Sequence, residues 1–436
     1  MIEPLRTWIL LQQLRSHVHV SPQRLKKLQD SLFREALLRA YQQVPFYRRY
    51  WDEEGFDPRS VCGSQDLERV PIMTSHMARI AAEQGELVAR KHEWEPPAYL
   101  YTTGSTGQPK RITKGRYELR LWRAQGLRIW LEHGFHWRHM KAQFNVQTGT
   151  THVMQRLGIS RTRWISPNVP LDELRDLFLE AKADWLITTP TILRRLASAL
   201  ADAGGHFPAP RGVFCQGELV DTQTRDLCRK IFGVMPVDVY TQTELGYVAW
   251  QCERRESLHV NADTHLVEVL RKGEAAGPGE LGSIVVTDLR NRAMPFLRYD
   301  TGDLAIAGNG SCSCGRQFPC LQSIEGRQRD AIQLKDGCII TPRSLVNHLA
   351  QVLPLDRYRL HQETTTRFRL ELFSAEGQAV GTGRHEPPGL PDSDVIVNHL
   401  RALLGDVEIS IQTTTTPRTS GEKNYPIVVN CLAPIA

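Results

Sequence analysis

Ten residues, Tyr101 to Lys110 (YTTGSTGQPK), limit what this chain can fold into more than any other stretch. Four hydroxyl residues (Thr102, Thr103, Ser105, Thr106) are interleaved with Gly104 and Gly107 and followed by a proline and a lysine. Such a run suits neither a helix nor a strand. Glycine allows positive φ and close backbone approach, and successive N–H groups and hydroxyls can form a concave donor surface for phosphate oxygens. The expectation is a loop that cradles a polyphosphate. It is not a Walker loop, which needs a glycine before its lysine and a serine or threonine after it; here Pro109 precedes Lys110 and Arg111 follows. The same letters also describe an ordinary polar turn, so the decision rests on what accompanies them.

With 436 residues, 41% of them hydrophobic and 23% charged, the chain is long enough for two or more cores. A formal charge of +6, with no run of five or six like charges, favours small anionic ligands slightly and argues only weakly for nucleic acid. No stretch approaches 18 apolar residues and the first residues lack a leader pattern, so neither a membrane partner nor a signal peptide is expected. Nine cysteines without a secretory leader point to the reducing cytoplasm rather than to a disulfide framework.

In chain order, apolar residues recur at helical spacing from Pro22 to the Val44-Pro45 boundary, and a second helix is expected after a cap at Thr74 or Ser75. A periodic helix follows the glycine-rich loop, a suitable place for phosphate. Between 140 and 220 short apolar runs alternate with helical stretches, which predicts an α/β layer with a largely parallel sheet. Gly217 and Glu218 follow one of these strands, where such sheets place ligand contacts. Another β-rich run leads into Tyr240, Thr243 and Glu244; the tyrosine could stack on a base and the glutamate could hold magnesium.

Residues 255 to 308 read as antiparallel strands, with Asp300 and Asp303 flanking the turn Thr301-Gly302. A carboxylate at Asp303 could accept ribose hydroxyls, or could satisfy its own turn. Arg327 and Asp330 flank the next stretch, and beyond it the texture is that of a small α+β domain with Lys423 in a loop near its end. Cys252, His259, Cys312 and Cys314 supply the three thiolates and one imidazole of a closed tetrahedral zinc site, with Cys320 near enough in sequence to be a spare ligand. A reduced, metal-free cysteine core is the alternative.

Set in order, YTTGSTGQPK, QGE, YTQTE, YDTGD, EGRQRD and PRTSGEK resemble the successive motifs of adenylate-forming ligases, most closely the phenylacetate–coenzyme A ligase-like branch. The likeness covers nearly the whole chain, and AYQQVPFYRRYWDEEGFDP and CSCGR add to it. It implies an α/β fold with a large N-terminal domain (1–329), built of mixed sheets and helices, and a small mobile α+β lid (330–436). Thr102, Thr103, Gly104, Ser105, Thr106, Gly107 and Lys110 would then hold the phosphates of ATP. Gly217, Glu218 and Tyr240 would line the adenine, Thr243 would touch the α-phosphate, Glu244 would bind Mg2+, and Asp303 and Arg327 would take the ribose. Asp330 would be the hinge and Lys423 the mobile catalytic lysine. The branch also implies structural Zn2+ at Cys252, His259, Cys312 and Cys314.

The implied reaction joins a small carboxylic acid, aryl or heteroaryl, first to AMP and then to the thiol of coenzyme A. A carrier-protein thiol or an amine is the alternative acceptor, and a homodimer is compatible with it. The family usually has glycine after the tyrosine of YTQTE; the bulk and polarity of Thr241 and Gln242 point to an acid smaller or more polar than phenylacetate. A reading from another class, a non-catalytic zinc-containing nucleotide- or nucleic-acid-binding protein, has only the mild basic charge behind it.

Overall fold

Local signals in the chain place the first elements. Ser21 caps the helix Pro22–Gln43, its hydroxyl accepting from Arg24 N at 3.4 Å, and Pro45 ends that helix and opens the next, Pro45–Glu53. Thr74, not Ser75, caps Ser75–Glu83, with its Oγ1 accepting from Met77 N at 3.2 Å. In this computed structural model, the described residues are 2–90, 98–102, 110–145, 155, 158–203, 207–310, 312–353, 358–373, 391–414 and 428–430. Among them, no helix is long and apolar enough to cross a membrane.

The chain divides into two compact units, one of Met1–His139 with Val237–Ser323 and one of Met140–Pro236 with Ile324–Ala436. In the first unit the strands 274–275, 265–271, 281–288, 299–307, the start of 320–327, 258–260, 246–251 and 236–242 follow one another across a sheet. Its described ladders are antiparallel, as the alternation after residue 255 predicts. Short strands Ala98–Tyr101 and Arg111–Lys114 pair beside it as a hairpin.

The second unit begins with the expected parallel layer, in the order 212–216, 185–188, 141–144, 162–165. Helices Leu171–Ala181, Pro190–Ala203 and Thr222–Phe232 cover it, burying Leu174, Phe178, Leu193, Cys228 and Phe232 in one core. Parallel strands require such crossover helices, which is why the two periods alternate in the sequence. The C-terminal part is a four-stranded layer (408–414, 367–373, 358–362, 428–430) with helices Pro342–Leu349 and Ser393–Leu404 packed on it through Leu345, Leu349, Ile396 and Leu400. The α/β class with mixed sheets is therefore as expected.

One buried charge network anchors the N-terminal helix Ile2–His17 in the first unit. The Arg128 guanidinium, fully buried, donates to Leu14 O (2.9 Å), Asp263 Oδ2 (2.8 Å) and Asn261 Oδ1 (2.6 Å), and His17 Nδ1 lies 3.0 Å from the same Asp263 oxygen. Burial pushes the Asp263 carboxyl up, but Arg128 and His17 outweigh it and bring it down to about 2 from 3.8. Breaking a buried pair on one side strands the other charge. Arg128→Met is expected to cost about 3–5 kcal/mol, read from urea midpoints. Because the folded carboxyl lies below its unfolded value, its contribution is fully present above pH 3.8 and is lost as pH falls towards about 2. In Arg128→Met that acid-side loss should shrink.

Candidate nucleotide site and metal centre

Thr102 and Lys110 close the neck of the glycine-rich loop. Thr102 N donates to Lys110 O at 3.0 Å, and Lys110 N donates to Thr102 Oγ1 at 2.9 Å, locking the hairpin where the loop departs. Thr103, Gly104, Ser105, Thr106 and Gly107 lie outside the described residues, as does Lys423.

The Lys110 ammonium is turned into the first unit. It lies 2.7 Å from Glu244 Oε1 and donates to Tyr299 Oη at 2.7 Å, with the lysine and glutamate side chains only 10% and 9% exposed. Burial works against the charged lysine, but Glu244 and Tyr299 outweigh it and raise its pKa. Tyr299 also lies 3.5 Å from Glu244 Oε1 and from Ser75 Oγ. Glu244 sits, with the half-buried Thr243, on the turn between strands Pro236–Gln242 and Gly246–Gln251.

Two buried side chains hold that turn from behind. Lys114 Nζ donates to the Glu244 carbonyl at 2.7 Å, and His265 Nε2 is 3.1 Å from the Leu245 carbonyl. A carbonyl can only accept, so His265 carries its hydrogen on Nε2, and Nδ1 lies 3.0 Å from Thr264 Oγ1, whose hydroxyl donates to the Asn261 carbonyl at 3.0 Å. Burial lowers the pKa of both Lys114 and His265.

Beside this cluster lies a second one. Tyr240 Oη donates to Asp303 Oδ2 at 2.6 Å, and Gln242 Nε2 donates to the same oxygen at 2.7 Å and to Tyr240 Oη at 3.0 Å. Of the two aspartates in YDTGD, Asp300 is the turn-maker, accepting from Gly302 N at 2.9 Å where Gly302 has φ 70°. Asp303 is the one that faces Tyr240. Three strands separate Tyr240 from Asp303 in the sheet order. A flat sheet would hold their strands about 19 Å apart at the usual spacing, so the sheet must curl for a tyrosine to reach across.

The other expected residues belong to the second unit. Gly217 follows the strand Gly212–Gln216 with φ 81°, and Glu218 Oε2 accepts from Thr191 N at 2.9 Å. Arg327, exposed, ends the strand Cys320–Arg327, and Asp330 closes a short 3-10 turn, its carboxylate 3.3 Å from Arg329 Nε. Sequence reasoning passed over Tyr299, Lys114 and His265. The tyrosine was readable as the first letter of YDTGD; the buried lysine and histidine carry no motif and needed coordinates.

Cys252, His259, Cys312 and Cys314 converge, their donor atoms all lying within 4.8 Å of one another. Tetrahedral zinc with bonds of ~2.3 Å to sulfur and ~2.0 Å to nitrogen sets sulfurs about 3.8 Å apart and a sulfur about 3.5 Å from the nitrogen. Cys252 Sγ and Cys312 Sγ are 3.7 Å apart, and Cys314 Sγ is 3.3 Å from His259 Nε2. The donor set therefore fits a closed zinc site. Cys320 does not join it: its Sγ lies 3.4 Å from His259 Nδ1, on the far side of the imidazole, so the spare-ligand expectation gives way to a neighbour that orients the ring.

His265→Phe, which leaves the Leu245 carbonyl without its donor, should lower stability by about 1–3 kcal/mol in urea unfolding.

No protein-family model matches the chain. Among curated proteins it is similar to the phenylacetate-coenzyme A ligase of Thermus thermophilus, 26% identical over 335 residues and covering 72% of each chain. It is also similar to that of Escherichia coli, 24% identical over 381 residues, 81% of this chain and 82% of the other. Among solved structures it is similar to 2-hydroxyisobutyryl-CoA ligase in the postadenylation state, with TM-score 0.74 and 19% identity across 95% of this chain and 91% of that one. An anthranilate CoA ligase in complex with anthranoyl-AMP gives TM-score 0.56 at 14% identity, over 77% and 66%. The structural likeness speaks for the fold, while the sequence relatives and the ordered motifs speak for descent. The chain is thus similar in sequence to phenylacetate-coenzyme A ligases over about three quarters of its length and shares the fold of acyl-CoA ligases of the adenylate-forming type.

Proposed function

We propose that the protein is an AMP-forming acid–coenzyme A ligase, activating a small carboxylic acid with ATP and passing the acyl group to the thiol of coenzyme A. The observation that carries this reading is the meeting of Lys110, Glu244, Tyr240 and Asp303 in one unit, as two hydrogen-bonded clusters built from three separate motifs. Lys110 and Glu244 neutralise each other at 2.7 Å, opposite charges that a magnesium–polyphosphate ligand would separate, lysine to phosphate and glutamate to metal.

In the first half-reaction an oxygen of the acid carboxylate attacks the α-phosphorus, and the bond to the bridging oxygen of pyrophosphate breaks. Little covalent work falls to the protein, so positioning and charge neutralisation carry the rate. Thr102 to Gly107 and Lys110 would hold the phosphates, and Thr243 the α-phosphate oxygens. Tyr240, with Gly217 and Glu218, would line the adenine; Asp303 and Arg327 would receive the ribose. Lys423, on a lid of residues 330–436 that turns about Asp330, would bridge the carboxylate and the α-phosphate as charge shifts between them. Magnesium held by Glu244 would offset the charge of the departing pyrophosphate. In the second half-reaction the coenzyme A thiol, losing its proton, attacks the acyl carbon and AMP leaves.

The acid is read as aryl or heteroaryl, smaller or more polar than phenylacetate because of Thr241, which directly follows the tyrosine of YTQTE. Zinc at Cys252, His259, Cys312 and Cys314 is read as structural, since four protein ligands leave no open position.

ATP–pyrophosphate exchange with a panel of aromatic and small polar acids should reveal the substrate class, and coenzyme A should turn exchange into thioester release. Lys423→Ala should lose roughly 100-fold or more of the exchange rate; unimpaired exchange would remove that residue from the chemistry. Metal analysis should find close to one zinc per chain, reduced in Cys314→Ser together with thermal stability.

A further inference from the structure

The side chain of Gln242 is 9% exposed, and its two ends are treated unequally. Both hydrogens of Nε2 are used, one on Asp303 Oδ2 at 2.7 Å and one on Tyr240 Oη at 3.0 Å. The tyrosine hydrogen goes to the same aspartate oxygen, at 2.6 Å. This network sets the amide's orientation, because exchanging its ends would aim a carbonyl oxygen at a carboxylate. Oε1 is left enclosed and without a hydrogen-bond partner among the described residues. A residue whose whole task was to steady Asp303 would need only the donor end. The enclosed acceptor is the feature that such a task does not explain.

The neighbours decide what could meet that oxygen. The Asp303 carboxylate only accepts, and Tyr240 is committed to it, so a group seated against both Asp303 and Gln242 has to bring hydrogen-bond donors of its own. Two acceptors on adjoining side chains, tied by the bond from Nε2 to Oδ2, match a vicinal diol, which offers two O–H donors on neighbouring carbons. Ribose carries such a diol.

We propose that Gln242 is a ribose-recognising residue that works beside Asp303, its Oε1 accepting from one hydroxyl of the 2′,3′-diol of ATP. This rests on the ligase reading, in which Asp303 faces the nucleotide sugar. It turns Gln242, first read for its bulk and polarity beside the acyl group, into a nucleotide-selecting residue.

The test is calorimetric binding of the magnesium complexes of ATP, 2′-deoxy-ATP and 3′-deoxy-ATP to the full chain without acid. It compares the wild type with Gln242→Met, which keeps volume but not polarity, and with Gln242→Asn, which withdraws the amide by one methylene and serves if the methionine variant does not fold. The expected result is a loss of about fivefold to tenfold for ATP and for one deoxynucleotide in Gln242→Met, a smaller loss in Gln242→Asn, and unchanged affinity for the deoxynucleotide that lacks the contacted hydroxyl. Equal losses on all three nucleotides would show that Gln242 merely positions Asp303 and would overturn the proposal, as would no loss on any. An effect confined to the choice between hydroxylated and plain acids in pyrophosphate exchange would assign the oxygen to the acid instead. Absence of nucleotide binding by the wild type would bring down the ligase reading along with it, an outcome distinct from an unchanged ratio.

Discussion

The ion pair between Lys110 and Glu244 is the interaction around which the rest of the site is arranged. At 2.7 Å and with about a tenth of each side chain exposed, neither charge can be left alone without a large desolvation cost. The pair is supported on both flanks: Tyr299 accepts from the ammonium, and Lys114 holds the backbone carbonyl of the glutamate. The hairpin carrying Lys110 and the turn carrying Glu244 are thereby held to each other across 134 residues of chain, counted from 110 to 244. A ligand that brings both an anion and a cation can replace this pair with two new ones at little net electrostatic cost. A ligand that brings only one must strand its counterpart.

The same logic, applied where no ligand can enter, explains the Arg128 network. There the guanidinium and Asp263 are fully buried, and Asn261, His17 and the Leu14 carbonyl add hydrogen bonds to the pair, leaving only its Arg128 Nε and Asp263 Oδ1 without a partner among the described residues. The network ties the N-terminal helix to the strand and turn region around residue 261. Two buried pairs in one unit thus differ in their surroundings: one is enclosed by protein groups on the N-terminal helix and around residue 261, while the other lies where the glycine-rich loop departs.

The adjoining cluster of Tyr240, Gln242 and Asp303 shows how hydrogen-bond accounting identifies a residue that motif reading had treated as bulk. In YTQTE the expectation concerned the acyl group, since Thr241 and Gln242 stand where the pattern usually has glycine after the tyrosine. The coordinates instead turn its amide towards the aspartate of another motif. The cysteines behave in the opposite way. Three sulfurs and one imidazole converge within 4.8 Å, two of their separations close to the edges of a tetrahedron, and only Cys320 had to be reassigned, to the other nitrogen of His259.

Much of the fold was legible because its signals are local: Ser21 and Thr74 as caps, Pro45 as a breaker, alternating periods from 140 to 220 for the parallel layer, and the turn at Gly302. The motif letters likewise singled out Lys110, Tyr240, Glu244 and Asp303, because the phosphate, base, metal and sugar contacts proposed for them each demand a particular side-chain chemistry. Tertiary structure alone decided which of these meet. No local signal records that the sheet curls far enough to bring Tyr240 onto Asp303 across three intervening strands, since curvature is a property of many pairings summed. Nor does any motif mark Lys114 and His265, whose only distinction is burial with one carbonyl each to satisfy. Residue chemistry is written in the chain; the partner of each polar atom is set by packing, because a buried group takes whichever donor or acceptor the fold carries to it.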